Sequence, residues 1–210
     1  MSIQDNQAWG QGKGLFLDSA GELTPHARIE NVLFSGNTSV SGAPQEDSDA
    51  LLAVGPGFTS LNVELAHVTA ADNTVRNFLH AVTYLNGGPT ITVTAANVLL
   101  SGFDNGYAAE EVADGEVTIE HSNTLFHEVT TPHLSLGGTP TFIQTAPVAG
   151  DPFLDSEYHL QAGSAAIDAG IDAGVDDDID GNTRPAGKAP DIGIDELGSI
   201  FADGFEARME

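Results

Sequence analysis

Polar and apolar residues alternate strictly in TITVTA (Thr90–Ala95) and EVTIEHS (Glu116–Ser122). A period of two sends successive side chains to opposite faces, so both stretches read as strands with one face buried. Shorter apolar runs, GLFLDS from Gly14, ALLAVG from Ala50 and AVTYLNGG from Ala81, are each bounded by Gly, Pro or Asn and read as further short strands. No segment keeps a helical period over three turns, so the expected class is all-β.

The alternation recurs as a longer repeat. ARIENVLFSGNT from Ala27, VELAHVTAADNT from Val63, VTAANVLLSGFD from Val93 and IEHSNTLFHEVT from Ile119 align column by column. Ala27, Val63, Val93 and Ile119 share one apolar column, with offsets of 36, 30 and 26 residues. A second holds Val32, Val68, Val98 and Thr124, and a third Phe34, Ala70, Leu100 and Phe126. Short strands, polar turns and this period describe a β-solenoid, in which each repeat buries its inward face against its neighbours. Ile29, Phe34, Val63, Leu65, Val68, Val93, Val98, Leu100, Ile119 and Phe126 are expected inside. A polar column, Asn31, His67, Asn97 and Asn123, is expected at a sharp bend, because Asn tolerates a left-handed backbone. Stacked there, Asn31, Asn97 and Asn123 would form a ladder with amides bonded along the axis.

The repeat runs over residues 1–149 and stops at Gly150. A block over 150–197 follows, then an acidic tail over 198–210 carrying IFADGFE. Because an open last repeat would expose an apolar face and an unpaired edge, the block is expected to cap it.

Charge narrows the partners. Six Lys and Arg stand against 31 Asp and Glu, for a net charge of −25. Phosphate backbones and anionic membranes are repelled by such a chain, so nucleic acid is excluded, and divalent cations or neutral glycans fit better. There is no cysteine for disulfides or thiolate sites. MSIQDNQAWGQGKG lacks the positive end and apolar stretch of a signal peptide, and no run has the composition of a membrane span. A monomer is expected.

The sharpest candidate chemistry is VDDDIDGNTRPAG, Val175–Gly187. Asp176, Asp178, Asp180 and Gly181 match the first half of a DxDxDG calcium loop, where alternate carboxylates converge on one ion. The twelfth position is Gly187 instead of a bidentate Glu, so distant acids, Asp191, Asp195 or Glu196, would complete the site. The candidate metal set is therefore Asp176, Asp178, Asp180, Asp191, Asp195 and Glu196, with calcium in a structural role. The alternative is a solvated turn in which Asp180 caps the loop. Arg184, set among acids, has a planar fork that suits a bidentate pair with Asp168, Asp191 or Glu196. No repeat column assembles a catalytic acid and base, and Tyr84 and Tyr107 are the candidates for a glycan-stacking stripe.

DPxF at Asp151–Phe153, YHLQxGSxAIDAG at Tyr158–Gly170, DxDGxxRP at Asp178–Pro185 and DIGxxE at Asp191–Glu196 carry a resemblance. Together with the repeats, the block resembles the C-terminal part of bacterial secreted β-helix proteins, the pectin-lyase-like repeat proteins with a choice-of-anchor region. IFADGFE resembles a short terminal sorting or anchoring motif. The resemblance implies a right-handed parallel β-helix with a C-terminal capping segment and a secreted or cell-surface location. It implies a C-terminal fragment of a longer chain and, for Arg184, the role of a conformational clasp on the capping segment. Two functions stay open: a non-catalytic scaffold that binds glycans or a cell-surface component, or the tail of a calcium-dependent polysaccharide lyase or glycoside hydrolase.

Overall fold

The computed structural model describes residues 1–8, 13–19, 24–39, 50–56, 60–83 and 87–198. These hold fifteen strands and no helix. In chain order the strands are β1 (Ser2–Gln4), β2 (Gln7–Ala8), β3 (Leu15–Ser19), β4 (His26–Ser35), β5 (Thr38–Ser39), β6 (Ala50–Pro56), β7 (Leu61–Ala71) and β8 (Asn77–Thr83). They continue as β9 (Thr90–Ser101), β10 (Asn105–Glu111), β11 (Glu116–Ser122), β12 (Leu125–His127), β13 (Thr131–Gly137), β14 (Thr141–Thr145) and β15 (Val148–Ala149).

Every pairing between these strands is parallel. The first sheet runs β1-β4-β7-β9-β11-β14, with β12 and β15 continuing it beside β9; the second runs β13-β10-β8-β6-β3, and β2 pairs β5. Parallel strands need a crossover between partners, and here β6 to β11 fall alternately in the second and the first sheet. The register reproduces the repeat columns: Ala27 faces Val63, Val63 faces Val93, and Val93 faces Ile119. Phe34 faces Ala70, which faces Leu100, which faces Phe126.

Two columns of left-handed residues shape each repeat. Asn31, His67, Asn97 and Asn123 have φ of 48°, 52°, 57° and 47° and bend the first sheet midway. Gly36, Asp72, Gly102 and Glu128 repeat the conformation five residues later, with φ of 66°, 54°, 79° and 52°. Between the bends lies a single core, in which nine of the ten expected residues are buried and Phe126 is partly buried against them. Phe34, Phe78, Phe103 and Tyr107 pack edge to face within it, with Phe78 5.8 Å from Tyr107 and 6.1 Å from Phe103. Tyr107 is fully buried and is therefore no part of a glycan-stacking stripe; Tyr84 lies outside the described residues.

The axial amide ladder exists, but at the second bend. Asn6 Nδ2 donates to Asn37 Oδ1, and Asn37 Nδ2 donates to Asn73 Oδ1 at 2.9 Å. Asn73 closes the ladder by donating to the carbonyls of Phe34 and Ala71. The signal was present in the aligned GNT and DNT triplets. Asn31, Asn97 and Asn123 do stack at the first bend, where Asn97 Nδ2 lies 2.9 Å from His67 Nε2 along the axis, but their amides also donate away from it, to the carbonyls of Asp177, Ile171 and Ala169.

Those acceptors belong to the C-terminal block, and this corrects the expected cap. The block runs along the flank of the repeats instead of covering the last one. Arg28, in the first aligned repeat, donates to Ala173 O, while Asn123, in the fourth, holds Ala169. Leu160, Ala166 and Ile192 of the block bury Leu99 and Leu125, two outward residues of the first sheet. β14 keeps Ile143 43% exposed. An apolar stripe on the flank offers the block more surface to bury than a single terminal strand does.

Replacing Asn73 by Ala should leave the Asn37 amides and two buried carbonyls without their partner. At about 1–3 kcal/mol for a buried polar group left unpaired, Asn73→Ala should lose several kcal/mol in urea unfolding, with the midpoint shifted and the slope unchanged. An effect below about 1 kcal/mol would show that water replaces the ladder.

Candidate functional site

The block has little regular structure of its own, and polar groups fix its path. Two isolated antiparallel bridges, Leu154–Leu160 and Asp177–Thr183, pinch two loops. Between them passes the DIGIDE segment, Asp191–Glu196, which lies on the first sheet. Gly193 N donates to Asn97 O, Ile194 N donates to Thr69 Oγ1, and the Gly193 carbonyl lies 3.2 Å from His67 Nδ1. Gly193 has a φ of 101°, and a Cβ there would lie 2.6 Å from Thr69 Oγ1, so the close approach needs glycine.

Arg184 is the clasp. It is buried, and its Nη1 donates to Glu196 Oε2 at 2.9 Å while Nη2 donates to Gly193 O at 3.0 Å. Its Nε is buried without a hydrogen-bond partner among the described residues. Burial draws the Arg184 pKa below its ordinary value, against the opposing fields of Glu196, Asp178 and Asp191. Glu196 also accepts from Asp191 N and Ala186 N, so one carboxylate ties both backbones to the guanidinium.

The six acids singled out by the loop pattern have separate surroundings. Asp178 is buried and caps its own loop: Oδ1 accepts from Asp180 N and Asn182 N, and Oδ2 from Asn182 Nδ2 and Glu196 N. Burial opposes its charge, but these bonds outweigh it and hold the pKa below the usual carboxylate range. The expected turn cap is thus Asp178, two residues before Asp180. Asp191 accepts from Asp168 N and Leu197 N, and burial pushes its pKa up to about 6. Asp176 is exposed and offers its carbonyl to Arg184 N. The oxygens of Asp178, Asp191 and Glu196 are thus occupied by N–H donors, and these three acids do not converge with Asp176 on one point.

Asp180 and Asp195 do come together, around a residue the loop pattern did not include. His159 Nε2 lies 2.7 Å from Asp180 Oδ2, and the donor atoms of His159, Asp180 and Asp195 all fall within 4.8 Å. Burial disfavours the charged imidazole, yet the bond to Asp180 and the fields of Asp195, Asp180 and Asp155 raise the His159 pKa. Burial raises that of Asp195 as well. His159 stands 21 residues before Asp180, a distance at which spacing carries no signal.

Elsewhere, His121 and His133 meet Nε2 to Nε2 at 2.7 Å inside the repeats, and burial pushes the His121 pKa down to about 4. Burial does the same to His67 and to His80, whose ring nitrogens lack hydrogen-bond partners among the described residues. IFADGFE lies outside the described residues. No protein-family model, curated protein or solved structure matches the chain.

Two outcomes follow for stability. Arg184→Ala should lose about 3–5 kcal/mol, because Glu196 is left buried without its countercharge. Arg184→Ala combined with Glu196→Gln should recover part of that loss in denaturant unfolding; strict additivity of the two single effects would show the pair is uncoupled. His67, His80 and His121 have folded pKa values of about 4 against 6.5 unfolded. The unfolded state therefore binds more protons in that window, and stability present above pH 6.5 is lost as pH falls toward 4. Asp191, raised to about 6, acts in the opposite sense and shallows the fall. His80→Leu should shrink the difference in unfolding free energy between pH 7 and 4.5 by about 2 kcal/mol; an unchanged difference would assign the pH dependence elsewhere.

Proposed function

We propose that the chain is a right-handed parallel β-helix serving as a non-catalytic, secreted or cell-surface scaffold that binds neutral glycans. Parallel stacking in two alternating sheets supports the solenoid reading, and parallel crossovers are right-handed in about 98% of cases. The C-terminal block is its longitudinal strap. The observation that carries the binding reading is a groove of about 290 Å³ on the outer face of the first sheet. Glu64, Thr94, Glu120 and Ile143 line it beside the small residues Ala66 and Ala96, and Ala173 of the block forms one wall. Small side chains leave room over the sheet, and hydroxyl and carboxylate groups along it suit the hydroxyls of a sugar chain.

Two further features favour binding over catalysis. Glu64 is ion-paired to Arg28. The carboxyl groups with raised pKa values, Asp191 and Asp195, accept backbone N–H bonds inside the block, away from the groove. Neither is placed as a general acid for a polymer lying on the sheet. The same strongly acidic surface disfavours acidic polymers. No helix among the described residues is long and apolar enough to cross a membrane. A single chain carries the groove entire, so a monomer suffices.

Affinity electrophoresis through gels containing neutral polysaccharides should retard the protein, and Ala96→Lys, which fills the groove, should restore free migration. Incubation with pectate or alginate plus calcium should release no unsaturated or reducing ends above background. Absence of retardation on every neutral polymer would sink the binding reading. Turnover abolished by Glu120→Gln would replace it with the polysaccharide-enzyme alternative.

A further inference from the structure

We propose that His159, Asp180 and Asp195 form a site for a divalent first-row transition metal, with zinc the ion best suited to the donor set. One imidazole nitrogen and two carboxylates come from three different segments and meet on the flank of the block, their donor atoms within 4.8 Å of one another. Metal–ligand distances of roughly 2.0–2.2 Å place neighbouring donor atoms roughly 3 Å apart, a spacing this group reaches with small side-chain rotations.

Each donor is positioned by bonds that a metal would not disturb. Asp155 Oδ1 accepts from Glu157 N and His159 N and fixes the turn that presents the imidazole. Asp178 holds the Asp180 backbone through its N–H. Asp195 Oδ2 accepts from Leu160 N at 2.7 Å, joining the hairpin to the DIGIDE segment. Such outer bonds orient ligands in metal sites and limit the cost of assembling them.

The second observation lies in Asp195 itself. It is only 6% exposed, and its Oδ2 is held by the Leu160 N–H. A carboxylate so sheltered costs free energy unless hydrogen bonds and a countercharge answer it. His159 faces three carboxylates: Asp180 at 2.7 Å, Asp155 at 3.7 Å, and Asp195. With the imidazole neutral, a divalent ion offsets two of those three negative charges. Calcium prefers six to eight oxygen ligands, whereas imidazole nitrogen favours zinc and its neighbours. The metal would tie the Leu154–Leu160 hairpin, the aspartate loop and the DIGIDE segment together through side chains, where Arg184 holds only the Asp195 carbonyl.

The test is calorimetric titration of the chelator-treated full chain with zinc, paired with thermal melting in zinc, calcium or chelator. His159→Gln and Asp180→Asn alter side chains that are 30% and 51% exposed, so both variants should keep the wild-type circular dichroism. One zinc per chain, a melting temperature raised by zinc but not by equimolar calcium, and at least tenfold weaker binding in each variant are expected. Absence of zinc binding, or binding that survives both substitutions, would overturn the site. A calcium shift as large as the zinc shift would overturn the assignment to a transition metal.

Discussion

Each repeat must turn its chain sharply between two strand faces without leaving buried amides unpaired, and a left-handed residue at a fixed place meets that demand. Asn31, His67, Asn97 and Asn123 hold φ between 47° and 57° in the same column. A non-glycine residue pays a steric penalty there, smallest for Asn, whose short amide can bond locally. The bend keeps Ala27, Val63, Val93 and Ile119 stacked on one side and Phe34, Ala70, Leu100 and Phe126 on the other. A slip of one residue in any repeat would turn its apolar set outward.

The same column decides where the C-terminal block lies. Its side chains meet the chain beyond Gly150, pairing with backbone groups of Ala169, Ile171, Asp177 and Gly193. A segment with so little regular structure has many backbone groups to satisfy, and a periodic row of amides satisfies them at regular intervals. Leu99 and Leu125 add the apolar contact that makes docking favourable. The two amide rows thus divide the work: Asn6, Asn37 and Asn73 join neighbouring repeats, and the first-bend row joins the repeats to the block.

Negative charge is distributed by role. The exposed acids Asp176 and Asp177 face water. Asp178, Asp191 and Glu196 are buried and serve as acceptors for backbone N–H groups, with Arg184 as the countercharge at the centre. Asp195 is buried as well, but it meets an imidazole beside its backbone N–H donor, and that sets the His159 group apart from the rest of the acidic loop. A scaffold for neutral glycans and a metal-tied strap are compatible on one chain, because the groove and the His159 group share no residue.

By itself the sequence determined the strands of the aligned repeats, their column register and most of the core. Alternation in TITVTA and EVTIEHS is a local property of the backbone, and aligned repeats place equivalent residues in equivalent surroundings. It also marked Arg184 as a clasp and Asp180 and Asp195 as acids of interest. Only the tertiary structure decided that the block straps the flank, that Asp178 caps the loop whose metal pattern included it, and that His159 joins Asp180 and Asp195. Those outcomes depend on where irregular segments far apart in the chain come to rest. Their path is set by hydrogen bonds to the repeat surface, which leave no periodic trace in the residues that make them.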